Sequence, residues 1–160
     1  MKKIIQLSPI LTILLFSCKK DDISIGTIKV DINGVAYTFS QQAKATRLSV
    51  TGGYGIQIQG NYRTNSTSNL SFTVVRPESI SIGAFIENVG NNPLVTMTHC
   101  TEVIFPCVIQ ANAYRSISNP VTITITEITG SSVKGTFKGE LQVSSGTTEV
   151  LSKGEFYVSF

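Results

Sequence analysis

From residue 27 to the end of the chain, apolar and polar residues alternate with a period of two. That is the spacing of strands whose side chains point in turn to two faces. Ile28, Val30 and Ile32 fall on one side of the first such stretch, with Lys29 and Asp31 on the other. Asn33-Gly34 follows, suited to the positive φ angles of a type I′ hairpin turn, and Val35, Tyr37 and Phe39 alternate on the return. Residues 45–50 and 54–61 flank Thr51-Gly52-Gly53, a second hairpin. After a polar loop, Leu70, Phe72 and Val74 alternate until Pro77 ends the run. Residues 79–87 read as a strand kinked at Gly83, and residues 88–93 as a turn. Residues 94–97 and 108–114 flank a segment with two cysteines. Beyond Asn119-Pro120 the pattern is cleanest, with Val121, Ile123 and Ile125 opposing Thr122, Thr124 and Thr126. Two further strands carry Val133, Gly135, Phe137, Gly139, Leu141 and Val143, then Phe156, Val158 and Phe160.

No helical period persists for more than a turn or two. Nine or ten short strands, each with one apolar face, predict an all-β domain built as an antiparallel β-sandwich. A small lipocalin-like β-barrel is the alternative. In a barrel, Gly135 and Gly139 beside Phe137 would leave space for a ligand; in a sandwich they would relieve bending.

The start of the chain breaks the alternation. Lys2 and Lys3 precede an uncharged, mostly apolar stretch at 4–16. It falls short of the roughly 20 apolar residues that span a bilayer and has the plan of a secretory signal. The stretch ends Leu14-Leu15-Phe16-Ser17-Cys18. A Leu, then a small residue directly before a Cys, resembles the lipobox read by lipoprotein signal peptidase. The resemblance implies cleavage before Cys18 and a diacylglyceryl group on its thiol. The expected organisation is a signal peptide at 1–17, a lipidated Cys18 and tether at 18–26, and a single β domain at 27–160. Each buried lipid CH₂ contributes about 0.8 kcal/mol, so two or more chains hold firmly.

Cys18-Lys19-Lys20-Asp21-Asp22 resembles the start of lipoproteins of the Bacteroidetes. In these a short acidic run after the lipidated Cys accompanies export to the outer face of the outer membrane. Residues 120–160 resemble the end of a family of small lipoproteins from the same group. The shared elements are Ile-Thr-Ile-Thr-Glu at 123–127, Gly-Thr-Phe-Lys-Gly at 135–139 and Gly-Glu-Phe-Tyr-Val at 154–158. The resemblance implies an outer-membrane address and a β fold. It carries no catalytic residues.

Composition narrows the function classes. The formal charge of +3 includes Lys2 and Lys3, so the chain after the signal carries +1. With no basic stripe, nucleic acid is excluded as a partner, since phosphate binding needs clustered Lys and Arg. Cys100 and Cys107 remain after Cys18, and an oxidising compartment favours a bridge between them. Closing so short a loop contributes about 2.5 kcal/mol in the chain-entropy treatment.

Candidate chemistry is sparse. His99 is the sole histidine. A nucleophilic pair with Cys100 fails because neighbours on a strand diverge, which leaves His99 as an ordinary loop residue. No serine elbow exists, and no fourth ligand joins His99, Cys100 and Cys107 at metal spacing. The seven glutamates are scattered, several on polar strand faces. Tyr54 and Tyr62 lie near turns and are the candidate ligand contacts. The expectation is a membrane-anchored, non-enzymatic binding or scaffold module, without cofactor or metal. Its partners would be the membrane through Cys18 and an envelope protein or glycan. A ligand-holding barrel ranks second and an envelope hydrolase third.

Overall fold

The computed structural model describes residues 22–64, 68–87, 94–100, 109–111, 119–143 and 147–160. The signal stretch, Cys18, Cys107 and the expected turn at 88–93 lie outside them. Eleven strands and no helix occur among the described residues. They are β1 (Thr27–Ile32), β2 (Val35–Phe39), β3 (Gln41–Val50), β4 (Gly53–Asn61), β5 (Asn69–Arg76) and β6 (Gly83–Ile86). β7 (Leu94–Cys100), β8 (Ile109–Ala111), β9 (Thr122–Ile128), β10 (Ser132–Val143) and β11 (Thr148–Ser159) follow.

The strands form two layers. The first has the order β2-β1-β11-β10-β9-β6 and the second β3-β4-β5-β7-β8. Alternation puts one apolar row of each layer inside, so a single core fills the space between them. The layers meet at two corners, at opposite ends of the β10–β11 hairpin. Ser159 of β11 pairs in parallel with Lys44 of β3. At the other end, the three-residue β8 links β7 to Gln142 and Val143 of β10. Joins this short do not close the layers into a barrel, and the fold is the sandwich.

The hairpin turn at Asn33-Gly34 forms as its residues dictate, with φ of 50° and 80°. It is also clamped to β11: Asn33 N donates to Val150 O at 2.9 Å, and Val150 N donates to Asn33 Oδ1 at 2.8 Å.

The centre of the core is a reciprocal contact between two glycines and two phenylalanines. Across the β10–β11 pair, Gly135 stands opposite Phe156 and Phe137 opposite Gly154. A Cβ on Gly135 would run into the Thr124 carbonyl and come within 2.6 Å of the Phe156 ring; one on Gly154 would come within 2.7 Å of the Phe137 ring. Each ring occupies the room that the opposite glycine leaves. Phe72 of β5 then packs on both rings, at centroid distances of 5.0 Å and 5.3 Å. The space at Gly139 is taken by the backbone of Val121. These glycines serve packing, and the ligand space expected of a barrel is absent at them.

Two local expectations are corrected, and β11 adds a feature of its own. The strand read at 79–87 is paired only over Gly83–Ile86, because Gly83 enters it at a φ of 153° and Ile82 before it is 63% exposed. β7 runs on to Cys100, so His99 lies in a strand and not in a loop. In β11 a bulge at Ser152-Lys153 shifts the register against both neighbours, with Lys153 at a φ of 52°. The bulge reverses the facing of everything before it. Leu151 turns inward at 2% exposure while Val150 is left 46% exposed.

Removing the Phe72 ring should cost about 3–5 kcal/mol, since the two layers cannot collapse onto the gap. Urea unfolding of Phe72→Ala measures this; a loss below 1 kcal/mol would place the centre of the core elsewhere.

Candidate functional site

The inward rows of both layers are apolar except where they meet at the loop end of the β10–β11 hairpin. There, β7 continues Val95, Met97 and His99 inward, with His99 opposite Leu70 of β5. From the other layer, the bulge in β11 turns Glu149 to the same face as Leu141, its partner in β10. His99 Nδ1 and Glu149 Oε2 are 2.8 Å apart, with side chains 3% and 14% exposed. An ionised carboxylate only accepts, so Nδ1–H donates to Glu149. Both groups would be costly to bury alone, and each supplies the other's partner. Rings surround the pair: Phe39 stands edge to face with His99 at 6.0 Å and Tyr37 at 6.3 Å. Tyr62 closes the group, 5.5 Å from Tyr37 and 6.0 Å from Phe39.

This places the sequence candidates. Tyr62 is half-buried in the aromatic group and does not stand exposed beside a turn. Tyr54 is 53% exposed and borders a shallow groove of about 120 Å³ with Arg47, Leu48, Ile80 and Ile128. The structure does not bring the two tyrosines into one site. Cys100 faces away from His99, opposite Asn69, and is disulfide-bonded. The pairing expected with Cys107 falls on a residue outside those described. Glu149 is the residue that sequence reading missed. Glu87 is a second glutamate turned inward, 6% exposed, and its Oε2 accepts from Val121 N at 3.1 Å. Neither sits on a polar strand face.

The His99–Glu149 geometry orients an imidazole, as a carboxylate does in catalytic dyads. The Nε2 atom, however, is buried and has no hydrogen-bond partner among the described residues. A general base must come within about 3 Å of a substrate proton, and Nε2 is shut off from solvent. No group of three His, Cys, Asp or Glu placed to hold a metal occurs among the described residues.

The open ground lies on the outer face of the first layer. Thr122, Thr124, Thr136, Lys138, Lys153 and Glu155 line a depression of about 440 Å³ across β9, β10 and β11. It continues toward β1 and β2, past Lys29, Asp31 and Thr38. Two lysines on this face are tied: Lys153 Nζ lies 2.8 Å from Asp31 Oδ2, and Lys134 Nζ lies 3.0 Å from Asp22 Oδ1. The neighbouring carboxylates hold both ammonium groups above the usual lysine range. Comparison with family models, curated proteins and solved structures finds no match to this chain.

The buried pair can be weighed by a double-mutant cycle. Glu149→Leu leaves the Nδ1–H of His99 without its acceptor and should cost about 1–3 kcal/mol in urea unfolding. Adding His99→Phe should recover part of that loss. Equal stability of Glu149→Leu and the native domain would show that the pair contributes nothing.

Proposed function

We propose that the chain is an exported lipoprotein, anchored through lipid on Cys18 to the outer membrane, whose β-sandwich is a non-enzymatic binding or scaffold module of the cell envelope. The observation that carries this reading is Ser17-Cys18 at the end of an apolar signal-like stretch, with a folded domain that begins almost at once. Ile23, five residues after Cys18, is already 5% exposed, and Gly26 N donates to Tyr157 O at 2.7 Å. A lipid at Cys18 would therefore hold the sandwich close to the bilayer.

The filled core favours a role for the outer surfaces over one for an internal ligand. Burial of His99 Nε2 favours a structural part for the His99–Glu149 pair over a hydrolytic one. The ligand or partner on the surface would be an envelope protein or a glycan. Tyr54 is the exposed ring of the two tyrosines expected to stack on a sugar.

Cys18→Ser removes the acceptor of the lipid. The variant should move from the membrane pellet to the soluble fraction of the envelope with its fold intact. If it stays with the membranes after a high-salt wash, the lipid-anchor reading fails.

A further inference from the structure

The docking of residues 22 and 23 says which side of the sandwich the anchor leaves from. Asp22 and Ile23 lie against Thr126, Lys134, Thr136 and Glu155. The first three belong to outward rows of β9 and β10, and Glu155 to that of β11. The chain therefore departs over the outer face of the first layer, beside the depression that runs across it. Only four steps along the chain lead from Asp22 back to Cys18. At full extension they reach about 14 Å, less than the thickness of the sandwich, whose sheets alone are about 10 Å apart before outward side chains are added.

The two outer faces also differ in charge. The outer face of the first layer carries four lysines, Lys29, Lys134, Lys138 and Lys153, among the carboxylates Asp22, Asp31, Glu127, Glu140 and Glu155. Lys29 and Lys138 have no ion-pair partner among the described residues. On the second layer, the outward rows of β4, β5 and β7 hold Gln57, Gln59, Ser71, Thr73, Thr96 and Thr98, all uncharged, and that of β3 adds Lys44 beside Gln59. A face of mixed charges, with two ammonium groups outside ion pairs, suits a layer of headgroups that carry phosphate. A face mostly of amides and hydroxyls offers such a layer fewer ionic contacts.

We infer that the outer face of the first layer is the membrane-facing side, resting on the headgroups of the bilayer that holds the anchor, and that the amide- and hydroxyl-rich face of the second layer is presented away from it. The inference rests on the lipid-anchor reading. Ile23 and the Asp22–Lys134 ion pair set the orientation by fixing the tether to this face, and Lys138 meets lipid phosphate.

The test uses the full lipidated protein in phosphatidylcholine vesicles containing phosphatidylglycerol and a headgroup-labelled quencher lipid. A thiol-reactive fluorophore is placed at Thr136→Cys or Thr124→Cys on the first layer, and at Thr46→Cys or Thr73→Cys on the second. The protein without an added cysteine gives the labelling background. Quenching should be several-fold stronger at the first pair, and the ratio should fall toward one in an Ile23→Ser, Lys134→Glu variant that frees the tether. Equal quenching on both faces of vesicle-bound protein, or stronger quenching at Thr46 and Thr73, would overturn the orientation while leaving the anchor intact. Protein that retains Cys18 but fails to float with the vesicles would overturn the anchor reading and the orientation with it.

Discussion

Two phenylalanine rings lying over two glycines fix the distance between the layers of this sandwich. Gly135-Thr136-Phe137 in β10 and Gly154-Glu155-Phe156 in β11 run antiparallel, so each glycine meets the other strand's ring. Any side chain at either glycine would lift a ring out of the core, and Phe72 fits only because both rings lie down. Tight packing of this kind turns a pattern of alternating residues into one particular structure. The same two strands form the long hairpin whose ends touch the second layer, so the geometry of their centre governs both corners.

The bulge in β11 links that packing to the polar site. It lets Gly154 and Phe156 keep their inward places while β11 continues past β1. The cost is a lysine held at a left-handed φ, at a position where Gly is the usual choice. The result is a carboxylate, Glu149, turned into the core end where β7 brings His99. Buried charge at the rim of an apolar core is tolerated because the two groups satisfy each other. Such a pair also ties β7 of one layer to β11 of the other, near the corner where the short β8 joins the layers. At the opposite end, the outward rows of β9, β10 and β11 receive the first docked residues of the chain. Fold centre, polar rim and tether all depend on one hairpin.

Much of the fold could be read from residue order. The alternation of Ile28, Val30 and Ile32, the Asn33-Gly34 turn and the facing of Val121, Ile123 and Ile125 all survive into the structure. His99 was within reach, because Val95, Met97 and His99 continue one alternation once β7 extends past Met97. Glu149 was not. Counting back by twos from Phe156 puts Val150 inside and Glu149 outside, and the bulge at Ser152-Lys153 inverts that count. No glycine marks the left-handed position, which Lys153 fills. Partner choice between layers was equally hidden, since nothing local to β10 says that Phe72, more than 60 residues earlier, will rest on Phe137. Tyr62 looked like a surface ring because a turn residue gives no hint of the aromatic group assembled from β2.

The most direct test of the account compares alanine at three glycines by urea unfolding. Gly135→Ala and Gly154→Ala force a methyl group into a packed ring and a backbone carbonyl, and each should cost about 1–3 kcal/mol or more. Gly130 has open space around it and no positive φ. Gly130→Ala should be neutral, or stabilising by about 0.4–1 kcal/mol through the unfolded chain. If all three substitutions behave alike, the rings do not depend on the glycines, and the layer spacing must be set by some other contact.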